Sequence, residues 1–188
     1  MAVSNPRHLS ETYVIAIAGG SGSGKSTLAD ALVSEIGSSF ATVLTVDAYY
    51  HDLAHLSLSA REQTNFDHPD ALDLALFEQH VLALKRGQTI QQPCYDFETH
   101  CRQAQTIEMI PRKWIVVEGI LVTATASLRD LYDQVIYVEA DSTVRWQRRL
   151  QRDQRDRGRD EASIERFWAR AEETFMTQGS MASQHADL

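Results

Sequence analysis

The chain has 188 residues, 43% of them hydrophobic and 23% charged, the make-up of a globular protein with a sizeable core rather than a disordered or fibrous one. Its formal net charge of −8 argues against a generic nucleic-acid binder, which is usually basic, yet allows a locally positive phosphate site. No apolar run reaches the ~20 residues that cross a bilayer, the first residues lack a signal peptide's apolar core, and two cysteines, Cys94 and Cys101, are too few for a disulfide scaffold or a four-ligand zinc site, so the expectation is reduced thiols in a cytoplasmic protein.

In chain order, residues 1–12 read as a loose N-terminal arm. Tyr13–Ala18 (YVIAIA) is a short β-branched apolar run ending in glycines, the pattern of a buried parallel strand. Residues 26–36 have helical periodicity, with Leu28, Leu32 and Ile36 on one face, and residues 42–46 read as the second strand. Residues 47–70 are polar and carry turn signals. Residues 71–86 form an amphipathic pattern stopped by Gly87. Residues 89–110 read as a hairpin excursion. Two further buried strands are expected at 114–117 and 134–138, with a short helix over 121–133 between them. Residues 143–177 read as two polar helices broken near Gly158, and residues 185–188 as the start of another strand, so that the last edge strand of the sheet is expected to be missing. Strands alternating with helices predict an α/β fold with a mainly parallel sheet, as a single domain over 1–188.

The run Gly19-Gly20-Ser21-Gly22-Ser23-Gly24-Lys25-Ser26, followed by Thr27, fits the phosphate-binding pattern G-x-x-x-x-G-K-[ST] between a strand and a helix. Glycines let the backbone N–H groups turn inward, and the following helix adds its positive end. Lys25 is expected to reach the β- and γ-phosphates of ATP, and Ser26 to offer its hydroxyl to Mg²⁺. GTP stays open as an alternative donor. The loop sets the ligand and leaves the reaction open, because switches, motors and small-molecule kinases share it. Two carboxylates stand where strands end: Asp47, suited to accept a proton from an attacking hydroxyl or to cap a helix, and Glu118, suited to hold the metal.

The glycine loop, Asp47-Ala48-Tyr49-Tyr50, Asn65-Phe66-Asp67-His68-Pro69-Asp70-Ala71, Pro93-Cys94-Tyr95-Asp96-Phe97 with His100 and Arg102, Val117-Glu118-Gly119-Ile120-Leu121, and Arg152-Asp153 through Arg157-Gly158-Arg159-Asp160 resemble, in this order, the uridine–cytidine kinases. The resemblance runs from about residue 13 to the end of the sequence. It implies a P-loop kinase fold with a nucleoside-binding hairpin and a helical lid. It also implies phosphorylation of the 5′-hydroxyl of uridine or cytidine, and a homo-oligomer, often a tetramer, with no nucleic-acid or membrane partner.

By that resemblance Asp47 is the base and also a metal neighbour, and Asp67 accepts the ribose 2′- and 3′-hydroxyls. Tyr95 and His100 meet the base edge, and Phe66, Phe97 and Ile120 pack on base and ribose. Arg149 and Arg159 lie near the acceptor, and Arg152 and Arg157 near the β- and γ-phosphates. Arg145, Arg148 and Arg155 are left as surface charges. Phe167 stands where the family often has a glutamine that reaches the nucleoside. The residues alone also permit a related kinase with another acceptor, or a nucleotide binder without turnover. A GTPase-like switch lacks its guanine-reading N-K-x-D motif here. His51 and His55 are spaced for a metal but have no evident third ligand, and Trp114, Trp146 and Trp168 read as packing residues.

Overall fold

The computed structural model describes residues 12–188, with the backbone alone at 178–181. The arm expected at 1–12 lies, apart from Thr12, outside the described residues. The elements in order are β1 (Tyr13–Ala18), α1 (Lys25–Ile36), β2 (Ala41–Thr45), α2 (Leu58–Arg61), α3 (Leu74–Lys85), β3 (Ile90–Asp96), β4 (Cys101–Met109), β5 (Trp114–Glu118), α4 (Ala126–Arg129), β6 (Gln134–Tyr137), α5 (Ser142–Arg157) and α6 (Glu161–Thr174). Short 3₁₀ turns at Val46–Tyr49 and Pro69–Ala71 punctuate the long β2–α3 connection.

Four strands form a parallel sheet in the order β2-β5-β1-β6. Both faces are covered, which is why the strands read as continuous apolar runs rather than alternating ones. Val14, Ala16 and Ala18 of β1 face the larger core with Leu44, Ile115, Val117 and Phe77. Ile15 and Ile17 point to the other side, where Val116 and Ala29 bury them under α1. The register then fixes the site. Glu118 stands opposite both Ile17 and Thr45, so the segments after β1, β2 and β5 leave one edge of the sheet together. The crevice beyond the carboxyl ends of parallel strands is where such folds bind ligands.

Local chemistry explains where the elements differ from expectation. The helix expected from residue 71 begins at Leu74, because the Asp73 side chain accepts the Leu76 N–H as its cap and Pro69–Ala71 forms a separate turn. The helix expected over 121–133 shrinks to the single turn of α4. Residues 121–125 run as turns, and the Thr125 side chain caps α4 only from there by accepting the Leu128 N–H. The expected break near Gly158 is present. Gly158 has φ 60° and ends α5, and the Asp160 side chain caps α6. The β3–β4 hairpin is antiparallel with a register shift between Pro93 and Tyr95. At the C-terminal end, His185 closes a 3₁₀ turn and only the last residues run along β6. Asp187 N–H donates to the Val135 carbonyl at 2.8 Å, and Tyr137 N–H to the Leu188 carbonyl at 2.8 Å. Among the described residues no helix is long and apolar enough to cross a membrane.

Candidate active site

The loop of residues 19–27 rises from β1 into α1. Gly24, at φ 107°, precedes α1 without any side-chain cap, so the first N–H groups of the helix have no side-chain acceptor at the cap. That suits an anion, which meets free N–H groups and the positive helix end together. Gly22 has φ 78°, and a Cβ there would drive into the Arg145 backbone carbonyl. The Lys25 ammonium donates to the Gly20 carbonyl at 2.9 Å and so braces the loop from inside. Burial lowers its pKa, while Glu118 and Asp47 oppose that shift. Gly22, Gly24, Lys25, Ser26 and Thr27 open onto a cavity that Arg148 and Arg152 also line.

Next to it lies a second cavity, and Arg152 lines both. Ser21, Asp47, Phe66, Asp67, Tyr95, Phe97, His100, Ile120, Arg149, Arg157, Arg159 and Phe167 complete the second wall, together with Tyr50. Residues drawn from widely separated stretches of sequence, from Ser21 to Phe167, therefore converge on one space. Asp47 sits in the turn directly after β2. Asp67 is largely buried on the cavity wall, and burial raises its pKa against the pull of Arg149, whose Nη1 lies 3.7 Å from its Oδ1. Glu118, at the end of β5, is pushed up by burial and by Asp47, and hydrogen bonds with Thr45 and Ser26 and the charge of Lys25 offset this in part.

The hairpin supplies the aromatic side. Asp96 accepts the N–H groups of Glu98 and Thr99 at 2.8 and 3.2 Å, a tight turn that brings His100 round at φ 56°. His100 is 3% exposed and stacks on Phe66 with ring centres 4.5 Å apart. Burial first, then Arg159, Arg157 and Arg61, hold its pKa down at about 4, so the imidazole is neutral. Tyr95 packs against Tyr50 and Phe97, and its buried hydroxyl has no hydrogen-bond partner within the protein. Arg102 fastens the hairpin to the turn after β2, donating to the carbonyls of Tyr50 and Tyr49 at 2.7 and 2.9 Å.

Several positions differ from the sequence expectation or went unread in it. Arg157 lies with its guanidinium 4.1 Å from the Phe97 ring centre and lines the acceptor cavity, whereas the phosphate-loop cavity is reached by Arg152. Arg145 was expected to be a surface charge. It is 5% exposed, paired with Glu172 through two hydrogen bonds of 2.7 and 2.8 Å, and pressed against the loop glycines. The reason is its place on the inner face of α5, one helical turn before Arg149, where only an ion pair makes burial tolerable. Arg148 is exposed and donates to the Ser23 carbonyl at 3.1 Å, and Arg155 is exposed beside Asp156. Tyr50 and Asp153 were not singled out from sequence. The signal for Asp153 was an acid spaced at i+4 from Arg149 and four before Arg157. Phe167 walls the cavity beneath Arg159, whose guanidinium lies 4.3 Å from its ring centre. His51 and His55 are exposed, and no cluster of three metal-ligating side chains occurs among the described residues. Trp146 and Trp168 pack on each other, and Trp114 on Tyr13.

The chain can be set beside known proteins on this footing. The model of the Phosphoribulokinase / Uridine kinase family matches residues 14–188. A uridine kinase of Alkaliphilus metalliredigens (strain QYMF) is 41% identical over 150 residues, which is 80% of this chain and 72% of that protein. A uridine kinase of Shewanella sp. (strain ANA-3) is 39% identical over 183 residues, 95% of this chain and 86% of that one. The phosphoribulokinase of Rhodobacter spheroides superposes with a TM-score of 0.68 over 94% of this chain and 68% of its own, at 15% identity, a likeness of fold alone. With a family match over nearly its whole length, and a phosphate loop set beside an acceptor cavity, this chain belongs to the Phosphoribulokinase / Uridine kinase family and is a kinase that transfers a phosphoryl group to a hydroxyl.

Proposed function

We propose that the acceptor is the 5′-hydroxyl of uridine or cytidine and that the donor is ATP, with GTP as a second donor to be tested. The observation that carries this reading is the make-up of the second cavity: a buried carboxylate, Asp67, faces an aromatic wall that holds a neutral imidazole, with Asp47 on the same lining. A buried carboxylate suits a vicinal diol, since it accepts two hydroxyl donors and loses much when one is absent. A neutral His100 can donate to a carbonyl or accept from an amine, depending on its tautomer, and so serves both uracil and cytosine. The unpartnered Tyr95 hydroxyl supplies a second polar contact. Phe66, Phe97, Ile120 and Phe167 give the apolar faces that a base and a ribose pack against.

In the reaction, the N–H groups of the loop and Lys25 hold the donor phosphates. Asp47 orients the attacking hydroxyl and takes its proton. Arg152 and Arg157, with Arg149 and Arg159, stabilise charge on the group in transit, and α5 and α6 keep water from it. Ser26, Asp47 and Glu118 would hold Mg²⁺. The fit rests on Glu118, whose carboxyl is raised by burial and by Asp47, so the place carries more negative charge than its surroundings solvate. Two carboxylates and a hydroxyl leave room for the waters and phosphate oxygens that this ion keeps. Bound there, it would neutralise charge on the triphosphate.

A coupled ADP-release assay tests the reading, with uridine, cytidine, deoxyuridine, adenosine, pantothenate and ribulose 5-phosphate offered in turn. Release with uridine or cytidine, weaker with deoxyuridine, is the expected result. Release with another acceptor alone would transfer the function to that substrate.

A further inference from the structure

A carboxylate beside the acceptor cavity has no part in the reaction above. Asp153 of α5 is 0% exposed and lies behind four arginines that line that cavity. Its Oδ1 receives Arg152 through Nε and Nη2 at 2.8 and 2.7 Å and lies 3.5 Å from Arg157 Nη1. Its Oδ2 lies 3.6 Å from both Arg149 Nε and Arg159 Nη1. Its backbone acts at the same place, since the Asp153 carbonyl accepts the N–H groups of Gly158 and Arg159, the turn that folds Arg159 back over the end of α5.

Four guanidiniums in one part-buried space repel one another, and each would gain by swinging into water. A single central carboxylate reverses that balance. It gathers arginines from one turn before it, from its neighbour, from one turn after it and from beyond the helix end. It also leaves donors free. Three of the four pairs are 3.5 Å or longer, and Arg149 Nε and Nη1 make no hydrogen bond within the protein. Arg157, Arg152 and Arg149 lower the pKa of Asp153 although its burial opposes this.

We propose that Asp153 is a positioning residue: it gathers Arg149, Arg152, Arg157 and Arg159 behind the acceptor cavity and keeps their remaining N–H donors directed at the transferring phosphoryl group. This rests on the phosphotransfer reading above and extends it to a residue that touches no substrate. It separates two roles within the arginine-rich segment, the groups that meet the phosphoryl group and the one that holds them in place.

The test compares Asp153→Asn, equal in size but uncharged, with the wild type. Expected are a fall in kcat of about 100-fold, the cost of a small misplacement, and a KM for ATP within about threefold. Inorganic phosphate should inhibit the variant at least about tenfold more strongly, because the cluster has lost its internal anion. In Asp153→Ala, added formate should restore kcat at least about tenfold by taking the carboxylate's place, without effect on the wild type. A kcat within about threefold of wild type would overturn the proposal. So would a loss with unchanged phosphate inhibition and no formate rescue, which is the pattern of a merely structural role.

If Asp153→Asn does not fold, the double variant with Arg157→Gln, which restores the net charge, takes over the test. Folding with slower turnover than Arg157→Gln alone supports the proposal, and failure to fold overturns it. A wild type inert toward every acceptor would count against the substrate reading alone. Calorimetry with inorganic phosphate, comparing wild type and Asp153→Asn, would then still decide the role of Asp153.

Discussion

His100 gives a prediction with a defined sign. In the unfolded chain its imidazole titrates near 6.5, and in the fold near 4, because it is buried against Phe66 with Arg159, Arg157 and Arg61 facing it and only Asp96 opposing them. The folded pKa is the depressed one. The unfolded state therefore takes up the proton first as pH falls, and the stability that His100 contributes is present above about pH 6.5 and lost on the way down to about pH 4. At 1.36 kcal/mol per unit, the loss between pH 7 and pH 5 works out at about 2 kcal/mol. His100 is 3% exposed yet forms the wall of an open cavity, so this figure is a ceiling rather than a midpoint. The comparison is urea unfolding of the wild type and His100→Asn at pH 7 and pH 5. Asparagine tolerates the backbone at φ 56°, so the packing it loses is common to both pH values. The wild type should lose about 2 kcal/mol more than the variant over that interval. Equal losses, within about 0.5 kcal/mol, would mean that the imidazole is not desolvated as described and would remove the argument that it meets the base in its neutral form.

Three further outcomes are expected. Asp47→Asn should keep uridine affinity within about threefold in calorimetry and lose about 10² to 10⁴ in kcat, the range of a general base; near-normal turnover would take that role from Asp47. Asp67→Asn should raise KM for uridine about 10- to 100-fold and shrink the preference for uridine over deoxyuridine, and an unchanged preference would place the ribose elsewhere. Glu172→Gln leaves the buried Arg145 without its counter-charge against the phosphate loop, and should cost about 3 kcal/mol in urea unfolding. A loss below about 1 kcal/mol would show that this pair does not hold α6 to the loop.

The α/β class was legible because Tyr13–Ala18, 42–46, 114–117 and 134–138 carry short, β-branched and mostly apolar runs, the pattern of strands in a sheet covered on both faces. The phosphate loop was legible because its chemistry is local: glycines, a lysine and a hydroxyl lie within one turn of chain and need no distant partner. The hairpin and the helix break at Gly158 were likewise written in turn residues. Where tertiary packing overruled local pattern, sequence reading erred. Leu121 and Val122 are buried in turns rather than in a helix and Thr125 starts α4 only after them, while the Asp73 cap moves the start of α3.

Burial of charge was the other thing hidden in the sequence. Along residues 145–159, seven arginines and their neighbouring acids look like one solvated helix face. The fold sorts them: Arg155 stays in water, Arg145 is sealed against Glu172, and four others converge on Asp153. The sequence by itself determined the sheet and the phosphate loop, since each depends on residues close in the chain or on hydrophobic period, whereas the acceptor set was readable there only through the resemblance to the uridine–cytidine kinases. Only the tertiary structure decided which charges share one dry space, because that follows from the register of β1, β2 and β5 and from the turn at Gly158, which bring together side chains more than a hundred residues apart.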